Sequence, residues 1–398
     1  MRSAKEKAFG FIESAKEEMV NYWERLVNME SGTFFKEDVD KVALFLKETV
    51  ERFGGRARRV EYPDDGNALV AEFGTQTPKP HVCFLGHFDT VFPRGATAKR
   101  PFRIEAGKAY GPGVLDMKSG VTIQLFAARA LMEAGYSDRL IRIVLAGDEE
   151  SMHPKSDMPR VFEEESRGAA AAFNFETGDV NNSLVVGRKG TIAYDVVVEG
   201  VSVHAGRDPQ KGRSAILEMA RKIVDIQALS DYDEGITFNV GTVKGGVVRN
   251  AVPDFAEIGV DVRVLEDGQV DFVEERIKSV LEKNYVDGTR TTYVRTIGMR
   301  PMSRTAGNDR LFDFVRGVSE ELGYGSPEAV VSGGGSDSAY SVAAGVPTID
   351  QMGGKGEWNH SDREYAVVES LFERTRLAVA CVLELEKFEK QPAESGSK

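Results

Sequence analysis

The sequence predicts an α/β protein with a mostly parallel sheet, flanking helices and an inserted ferredoxin-like α+β domain. Three apolar runs, at residues 82–85, 141–146 and 170–175, are typical of buried strands, and a helical segment at 120–134 separates the first two. Strands that alternate with helices imply a parallel sheet covered on both faces. Residues 188–299 instead follow the order βαββαβ, which is that of a ferredoxin-like domain.

The other predicted elements rest on apolar periodicity and on the residues that interrupt it. Apolar residues at helical spacing predict helices at 1–29, 39–53, 214–229, 270–281, 309–322 and 367–388. Gly54 and Gly55 end the second of these. Strand-like segments lie at 191–198, 237–243, 256–264, 291–297, 329–331 and 346–349. In the third of these strands, Ile258, Val260 and Val262 alternate with charged or small residues, which predicts one buried face.

Length and element order together predict the domain organisation. At 398 residues the chain is long for a single domain. We expect one catalytic α/β domain formed by residues 1–187 and 300–398. The inserted domain at 188–299 splits it in two along the sequence.

The composition argues against several kinds of partner. The net charge is −12 and there is no basic run, which disfavours nucleic acid and anionic membranes. No apolar stretch approaches the ~18 residues of a membrane span. The charged N-terminus lacks the apolar core of a signal peptide, so we expect a cytoplasmic protein. Cys83 and Cys381 lie far apart in apolar surroundings and are expected to be buried free thiols.

Metal-type ligands follow two of the predicted buried strands. His87 and Asp89, in Gly-His-Phe-Asp-Thr, come after the first strand, and Glu149 and Glu150 come after the second. Open α/β sheets bind ligands at the carboxyl ends of their strands. His87 and Asp89 are two residues apart and point the same way in extended backbone, so both can share one site. Together these features suggest a metal-dependent hydrolase.

Three further positions complete the set of candidate ligands. They are Asp116 in Gly-Pro-Gly-Val-Leu-Asp-Met-Lys, Glu176 in Phe-Asn-Phe-Glu and His360 in Trp-Asn-His-Ser-Asp. Zinc prefers imidazole and carboxylate ligands, which fits this set. Taken singly, Asp116 is equally compatible with a turn and Glu176 with a helix cap. Two other histidines, His81 and His153, are expected at the surface.

The adjacent pair Glu149 and Glu150 suits a division of labour. Neighbouring residues face opposite ways in a regular strand, so both serve one site only where the backbone turns. One carboxylate then binds metal while the other accepts the proton of the attacking water. A pair of exposed acids is the alternative in a chain with 63 Asp and Glu residues.

Five ordered motifs resemble the M20 metallopeptidases, and within them the glutamate carboxypeptidase group. The motifs are Leu-Gly-His-Phe-Asp-Thr-Val, Gly-Pro-Gly-Val-Leu-Asp-Met-Lys-Ser-Gly, Asp-Glu-Glu, Ser-Val-His-Ala-Gly and the late His-Ser-Asp. The resemblance spans nearly the whole chain. It implies a zinc-exopeptidase-like catalytic domain with an inserted lid and dimerisation domain. One departure is Ser-Met-His-Pro after Asp-Glu-Glu, where the family commonly has small residues.

The resemblance implies two zinc ions per chain, held by five residues. Asp116 resembles the ligand that bridges the two ions. His87 and Glu176 would complete one metal site, and Glu150 and His360 the other.

The resemblance also implies roles for residues that do not bind metal. Glu149 resembles the general base, and Asp89 resembles the residue that orients the first histidine ligand through its other ring nitrogen. His204 resembles the histidine that reaches the reaction centre of a partner subunit and helps hold the developing oxyanion. Asn250 resembles a substrate-binding asparagine, and Arg263 an arginine that receives the substrate's free carboxylate. For Arg263, pairing with an aspartate on its own strand is the alternative.

The implied reaction is hydrolysis of a terminal peptide or N-acyl amino acid amide bond, with a glutamate carboxypeptidase-like exopeptidase favoured. An N-acyl amino acid deacylase of the acetylornithine or succinyl-diaminopimelate type shares every metal residue and stays open. A metal-dependent phosphoryl hydrolase and a non-catalytic metal-binding relative are further alternatives. Because His204 would act on a partner subunit, a homodimer formed through the inserted domain is expected.

Overall fold

The computed structural model describes residues 3–390, apart from the side chain of Ile297. Within this range the chain forms two compact units, the first of residues 3–186, 304–331 and 336–390 and the second of residues 187–303 and 332–335. The predicted limits of the insertion, 188 and 299, lie one and four residues inside the continuous part of the second unit. The stretch 332–335 was not predicted to belong there. Its carbonyl groups at Gly334 and Gly335 accept hydrogen bonds from Arg188, at 3.3 and 3.4 Å.

Elements are numbered in chain order, and the first group extends to residue 188. Its helices are α1 Ala4–Ser14, α2 Lys16–Val27, α3 Lys36–Arg52, α4 Ala96–Lys99, α5 Lys118–Glu133 and α6 Met158–Ser166. Its strands are β1 Arg56–Val60, β2 Ala68–Phe73, β3 Val82–His87, β4 Arg103–Glu105, β5 Lys108–Tyr110, β6 Ile141–Ala146, β7 Ala171–Asn174, β8 Gly178–Asp179 and β9 Leu184–Arg188.

The remaining elements belong to the second unit and to the C-terminal part of the first. Those of the second unit are β10 Gly190–Glu199, α7 Ala215–Gln227, β11 Thr237–Gly245, β12 Phe255–Val264, α8 Gln269–Leu281 and β13 Arg290–Ile297. Those that follow are α9 Ala306–Glu321, β14 Ala329–Ser332, α10 Ser338–Ala343, β15 Thr348–Ile349, β16 Lys355–Glu357, β17 Tyr365–Val367, α11 Val368–Leu383 and α12 Leu385–Glu389. Strands β9 and β14 pair as a two-stranded sheet.

A six-stranded sheet in the order β1-β2-β6-β3-β7-β15 is the centre of the first unit. Strands β6, β3, β7 and β15 are parallel, whereas β2 runs antiparallel to β6. Along β3, Val82 and Phe84 enter one apolar core while Cys83 and Leu85 enter the other, because side chains alternate across a strand. Helices α3, α5 and α11 contribute to the first core, and α6 and α10 to the second. The predicted mostly parallel sheet with both faces covered is confirmed.

Two long predicted helices are each replaced by a pair of shorter ones. The segment 1–29 contains α1 and α2, which meet at Ala15, and the segment 367–388 contains α11 and α12, which meet at Glu384. Both junction residues leave the helical backbone region, with φ/ψ of −96°/2° and −108°/9°. The apolar periodicity continues across both junctions, so the sequence pattern did not reveal them.

The second unit has the predicted ferredoxin-like order. Its four-stranded antiparallel sheet runs β11-β12-β10-β13, and α7 and α8 supply its βαββαβ connections. Ile258, Val260 and Val262 of β12 are all buried, at 3 % exposure or less, and contribute to the core of this unit. The alternation in that strand therefore predicted its buried face correctly.

A second sheet of the first unit was not predicted. Its order is β4-β5-β17-β16-β8, and its strands are only two or three residues long. Such short strands leave no periodic pattern in a sequence. The sheet matters because the loop after β5 carries Asp116 and the loop between β16 and β17 carries His360.

Two predictions from composition can be compared with the described residues. Cys83 and Cys381 are buried free thiols, as expected. Within residues 3–390, no helix combines the length and the apolarity that crossing a membrane requires.

Candidate metal centre

Three neighbouring parallel strands bring their carboxyl ends to one edge of the six-stranded sheet. His87 is the last residue of β3 and pairs with Ala146, the last residue of β6. Glu149 opens a 3-10 turn, Glu149–Ser151, just beyond β6, and Glu176 lies two residues beyond β7. The order β6-β3-β7 therefore places these side chains side by side, where open α/β sheets bind ligands.

Asp116 and His360 come to the same cluster from loops of the five-stranded sheet. Asp116 precedes α5 and follows a turn in which Gly113 has φ +68°. His360 itself adopts φ +61°, and Trp358 adopts φ +69°. Left-handed conformations are uncommon for residues other than glycine, such as His360 and Trp358.

The five predicted ligands converge around the carboxylate of Asp116. Nε2 of His87 lies 3.3 Å from Oδ1 of Asp116 and 3.3 Å from Oε1 of Glu176. Nε2 of His360 lies 3.1 Å from Oδ2 of Asp116 and 3.2 Å from Oε2 of Glu150. The two oxygens of Asp116 thus each face one imidazole, and each imidazole has one further carboxylate beside it.

Crowding and burial shift the pKa values of the carboxyl groups of this cluster in different directions. Burial raises the pKa of Glu149 well above its usual range, and Glu176 and Glu150 add to that rise while His87 opposes it. Burial, reinforced by Asp116, raises the pKa of Glu150 to about 7. Burial also raises the pKa of Glu176. For Asp116 burial acts in the same sense, but hydrogen bonds from the two imidazoles outweigh it and the pKa is lowered.

Both imidazoles of the cluster bind protons more strongly than a free histidine. Hydrogen bonds to Asp116 and Glu150 raise the pKa of His360 to about 11. Burial lowers the pKa of His87, but attraction to Glu176 and Glu149 outweighs burial and leaves the pKa well above its usual value. The ring protons lie where several carboxylates together create a strongly negative electrostatic potential. The same potential attracts a metal cation.

The residues present fit a metal site. One ligand atom from each of His87, Asp116 and Glu150 lies within 4.8 Å of the others. Oε1 of Glu150 is buried and accepts no hydrogen bond from the residues that the structure describes. A buried carboxylate oxygen without a donor is costly unless a cation neutralises it. Imidazole and carboxylate donors are those that zinc prefers.

Asp89 and Glu149 lie beside the cluster. The side chain of Asp89 is fully buried, and its Oδ1 lies 3.2 Å from Nδ1 of His87. The same carboxylate accepts hydrogen bonds from the backbone N–H groups of Glu149 and Glu150, at 3.2 and 3.0 Å. Oε2 of Glu149 is 3.9 Å from Nε2 of His87. As expected, the backbone turns at the Glu149–Glu150 pair, so both side chains can face one site.

Sequence reasoning missed Glu364, which fixes the loop that carries Asp116. Glu364 is fully buried, and its carboxylate accepts hydrogen bonds from the N–H groups of Gly113, Leu115 and Asp116, each at 2.9 Å. Burial raises the pKa of Glu364 to about 8, although these three donors act in the opposite direction. Its position four residues after His360 is the one signal in the sequence that could have drawn attention to it.

We expect Glu364→Gln to weaken zinc binding about 10- to 100-fold, the usual cost of losing support around a metal ligand. The amide nitrogen of glutamine cannot accept a hydrogen bond, so at least one of the three N–H groups loses its partner. Zinc affinity is measured by competition with a chromophoric chelator. Glu218→Gln is the matched control, because Glu218 is also fully buried and accepts two backbone N–H groups, those of Tyr285 and Val286. Equal zinc affinity in the two variants would contradict the role of Glu364.

The expectation that His81 and His153 lie at the surface is wrong. Each residue is only 7 % exposed. Nε2 of His81 lies 2.9 Å from the backbone oxygen of Glu165, far along the chain. His153 lies between two buried aspartates, Asp148 and Asp337. Polar neighbours in the sequence suggested exposure, but contacts with distant segments bury both rings.

The second unit contains three candidate residues, and two of them, His204 and Asn250, lie together while Arg263 lies elsewhere. His204 and Asn250 are both exposed and lie on adjacent strands of backbone, since the N–H of Ala205 donates to the oxygen of Asn250 at 3.0 Å. Arg263 instead lies in β12, where its Nε and Nη2 donate to the carboxylate of Asp261 at 2.7 and 2.8 Å. The alternative of pairing within the strand therefore describes Arg263 in this structure.

Comparisons with known proteins identify peptidase sequences in both units. A model of the M20 peptidase dimerisation domain matches residues 186–289, and a model of peptidase family M28 matches residues 68–199. Carboxypeptidase G2 of a Pseudomonas species is 28 % identical over 367 residues, which cover 91 % of this chain and 88 % of that one. A succinyl-diaminopimelate desuccinylase of Halorhodospira halophila is 27 % identical over 327 residues, which cover 76 % of this chain and 82 % of that one.

Solved structures share the fold over both units. Aminopeptidase PepT of Bacillus cereus superposes with a TM-score of 0.80 at 23 % identity, covering 93 % of this chain and 99 % of that one. The M20 family metallo-carboxypeptidase Sso-CP2 of Sulfolobus solfataricus gives a TM-score of 0.74 at 18 % identity, covering 91 % and 98 %.

Together these matches support an M20 family metallopeptidase. The M28 model ends at the last residue of β10, whereas the M20 dimerisation model covers the second unit from its start to residue 289, just before β13. These similarities support a metal-dependent hydrolase, and M20 metallopeptidases generally use zinc.

Proposed function

We propose that this M20 protein is a di-zinc exopeptidase of the glutamate carboxypeptidase type, which hydrolyses a C-terminal peptide or N-acyl amino acid amide bond. The observation that carries the proposal is the carboxylate of Asp116 between two imidazoles, with a further carboxylate beside each. Carboxypeptidase G2, which matches 91 % of this chain, supports the choice of bond.

The proposed ligands divide into two sets that share Asp116. His87 and Glu176 form one set, and Glu150 and His360 form the other. Zinc, when bound, supplies a Lewis acid that polarises the scissile carbonyl and makes water nucleophilic near neutral pH. The buried, unpartnered Oε1 of Glu150 is consistent with a cation in the second set.

Glu149 is the proposed general base. Its carboxylate takes a proton from the attacking water and later gives it to the nitrogen of the leaving amine. A raised pKa suits this task, because a base must accept the proton and then release it near neutral pH. Asp89 supports Glu149 by accepting the hydrogen bond from its backbone N–H, and it also lies against the ring of His87.

The second unit would supply groups that bind the substrate. His204 donates a hydrogen bond to the developing oxyanion, and its exposure agrees with contact to another molecule. Asn250, next to it, helps to anchor the carboxylate of the departing amino acid. Arg263 receives the carboxylate of the departing amino acid. To do so, its guanidinium must release Asp261, its present partner, or bind both carboxylates at once.

An N-acyl amino acid deacylase is the second candidate. The desuccinylase relative, which matches 76 % of this chain, favours it. Both reactions cleave an amide next to a carboxylate-bearing group and use the same metal ligands, so the two differ only in the acyl and amine groups that the pocket accepts.

Amine release from a mixed substrate panel tests the proposed function. The panel contains C-terminal-glutamate dipeptides, folate-type acyl glutamates, other dipeptides, and N-acetyl and N-succinyl amino acids. Each is measured with chelator and after zinc is restored. Zinc-dependent cleavage of the C-terminal-glutamate substrates supports the carboxypeptidase, and preference for N-succinyl or N-acetyl amino acids supports the deacylase. If no member of the panel is cleaved by the zinc-loaded protein, the proposed function is wrong.

We also propose that the protein is a homodimer formed through α7 and β11 of the second unit. Strand β11 lies at an edge of its sheet. Large apolar side chains near it are exposed: Val224 at 67 %, Val243 at 64 % and Val247 at 94 %. A groove of about 610 Å³ runs between the start of α7 and residues 245–253. An open strand edge beside an apolar patch favours pairing with a second copy.

We expect Val224→Asp to convert the dimer to a monomer, because a carboxylate placed in the apolar patch must lose water when two copies meet. Light scattering coupled to size exclusion measures the mass. Val294→Asp is the control: Val294 is 65 % exposed on β13, the other edge strand of the same sheet. If His204 acts across the dimer, Val224→Asp also lowers kcat. A Val224→Asp protein that stays dimeric would contradict this interface.

A further inference from the structure

A buried histidine links the turn that carries Glu149 and Glu150 to a distant part of the first unit. Nδ1 of His153 lies 2.8 Å from Oδ1 of Asp148, and Nε2 lies 2.7 Å from Oδ1 of Asp337. All three side chains are 1 % exposed. An ionised carboxylate only accepts hydrogen bonds, so both ring nitrogens donate when both aspartates are ionised. Burial lowers the pKa of His153, but the attraction of Asp337 and Asp148 outweighs it and leaves the pKa well above its usual value.

The turn next to this histidine has an unusual backbone. Met152 and His153 adopt φ +63° and +54°, in the left-handed region that non-glycine residues rarely occupy. Such residues are strained and persist only when their surroundings hold them. Two backbone hydrogen bonds close the turn, from the N–H of Met152 to Glu149 at 2.7 Å and from that of His153 to Asp148 at 3.2 Å.

The turn is held from both sides. On one side, the carboxylate of Asp89 accepts the N–H groups of Glu149 and Glu150. On the other side, His153 connects Asp148, the residue before Glu149, to Asp337, which lies immediately before α10. Without the second support, the strained backbone has one neighbour fewer to keep it in place.

We propose that His153 is a positioning residue, which fixes the turn bearing Glu149 and Glu150 through its simultaneous contacts with Asp148 and Asp337. The inference rests on the proposed function, because it assigns importance to the positions of a base and a metal ligand. The ring of His153 is hydrogen-bonded to Asp148 and Asp337, neither of which is a proposed metal ligand, so its proposed action is through the turn. The proposal also assigns a role to the Ser-Met-His-Pro segment, at which this chain differs from the common pattern of the family.

The test compares His153→Gln and Asp337→Asn with His81→Gln. Glutamine has one amide donor group at its end and cannot hold two carboxylates on opposite sides as the imidazolium does. We expect both His153→Gln and Asp337→Asn to lower kcat about 10- to 100-fold, because small displacements of catalytic groups strongly reduce the rate. KM should change less than about twofold, because the proposed substrate-binding groups lie elsewhere. His81→Gln is the matched control, because His81 is equally buried at 7 % but its ring is hydrogen-bonded, among the residues that the structure describes, only to the backbone oxygen of Glu165.

Zinc affinity provides a second readout that does not depend on turnover. Because Glu150 lies on the same turn, both variants should bind zinc about 10-fold more weakly, while His81→Gln binds it as the parent does. The double variant His153→Gln/Asp337→Asn should lose no more than His153→Gln alone, because Asp337→Asn removes a contact that His153→Gln has already removed. Parental kcat and zinc affinity in His153→Gln, or an equal loss in His81→Gln, would overturn the proposal. If the parent cleaves no substrate, the proposed function fails, and zinc affinity still decides the role of His153.

Discussion

Glu149→Gln should retain its zinc and lose nearly all turnover. Glutamine keeps the size of the side chain but cannot take the proton of the attacking water, and general-base catalysis typically contributes about 10²- to 10⁴-fold. The side chain lies 3.9 Å from the ring of His87 and takes no part in the contacts around Asp116, so the ligand cluster should be unchanged. Single-turnover rates and metal content by plasma emission spectroscopy measure the two properties separately.

Glu150→Gln is the matched control for this prediction. The two glutamates are adjacent and share the support of Asp89, yet only Glu150 contacts His360, at 3.2 Å. Glu150→Gln should therefore lose metal as well as activity. If Glu149→Gln loses as much zinc as Glu150→Gln, Glu149 is a ligand and another group is the base. Turnover close to that of the parent would remove Glu149 from the mechanism altogether.

Asp116→Asn should reduce the zinc content from the proposed two ions per chain to one or none. Each oxygen of Asp116 faces one imidazole, at 3.3 Å for His87 and 3.1 Å for His360. Asparagine replaces one of these oxygens with a donor group that repels a cation, so at least one ion loses a ligand. Losing several kcal/mol of charge stabilisation corresponds to at least about a thousandfold in kcat.

Asn359→Ala is the control for Asp116→Asn. Nδ2 of Asn359 donates to Oδ2 of Asp116 at 3.2 Å, so its removal alters a neighbour of the carboxylate but leaves both oxygens in place. We expect this variant to keep both ions. Two tightly bound zinc ions in Asp116→Asn, measured after dialysis against chelator-treated buffer, would show that Asp116 does not bridge them.

The strand-end motifs were predictable because their signal is local. An apolar run predicts a buried strand, and polar residues directly after it must lie at the carboxyl end of that strand. His87, Glu149 and Glu176 could therefore be assigned to one edge of the sheet before the strand order was known. The ferredoxin-like unit was predictable for the same reason, since its strands are long enough to alternate clearly, as in β12.

Glu364 and the pair formed by His153 and Asp337 could not be found in this way. Glu364 accepts N–H groups about 250 residues away in the sequence, and His153 contacts a carboxylate 184 residues away. In local sequence both look like ordinary polar loop residues. Glu364 is buried beside the five-stranded sheet, and His153 is buried beside the segment before α10. Neither the sheet nor the segment has an apolar pattern that can be recognised in the sequence.

By itself the sequence determined the α/β fold and the inserted ferredoxin-like order, because both follow from hydrophobic periodicity, and it placed His87, Glu149 and Glu176 just beyond predicted strands. The set of ligands around Asp116 was implied by the resemblance to the M20 metallopeptidases. Only the tertiary structure decided how those side chains are held. The orientation of Asp116 depends on Glu364, and the turn of Glu149 and Glu150 depends on Asp89 and His153. Such support consists of hydrogen bonds between segments distant in the chain, and their free energy exists only once folding has brought the partners together and excluded water.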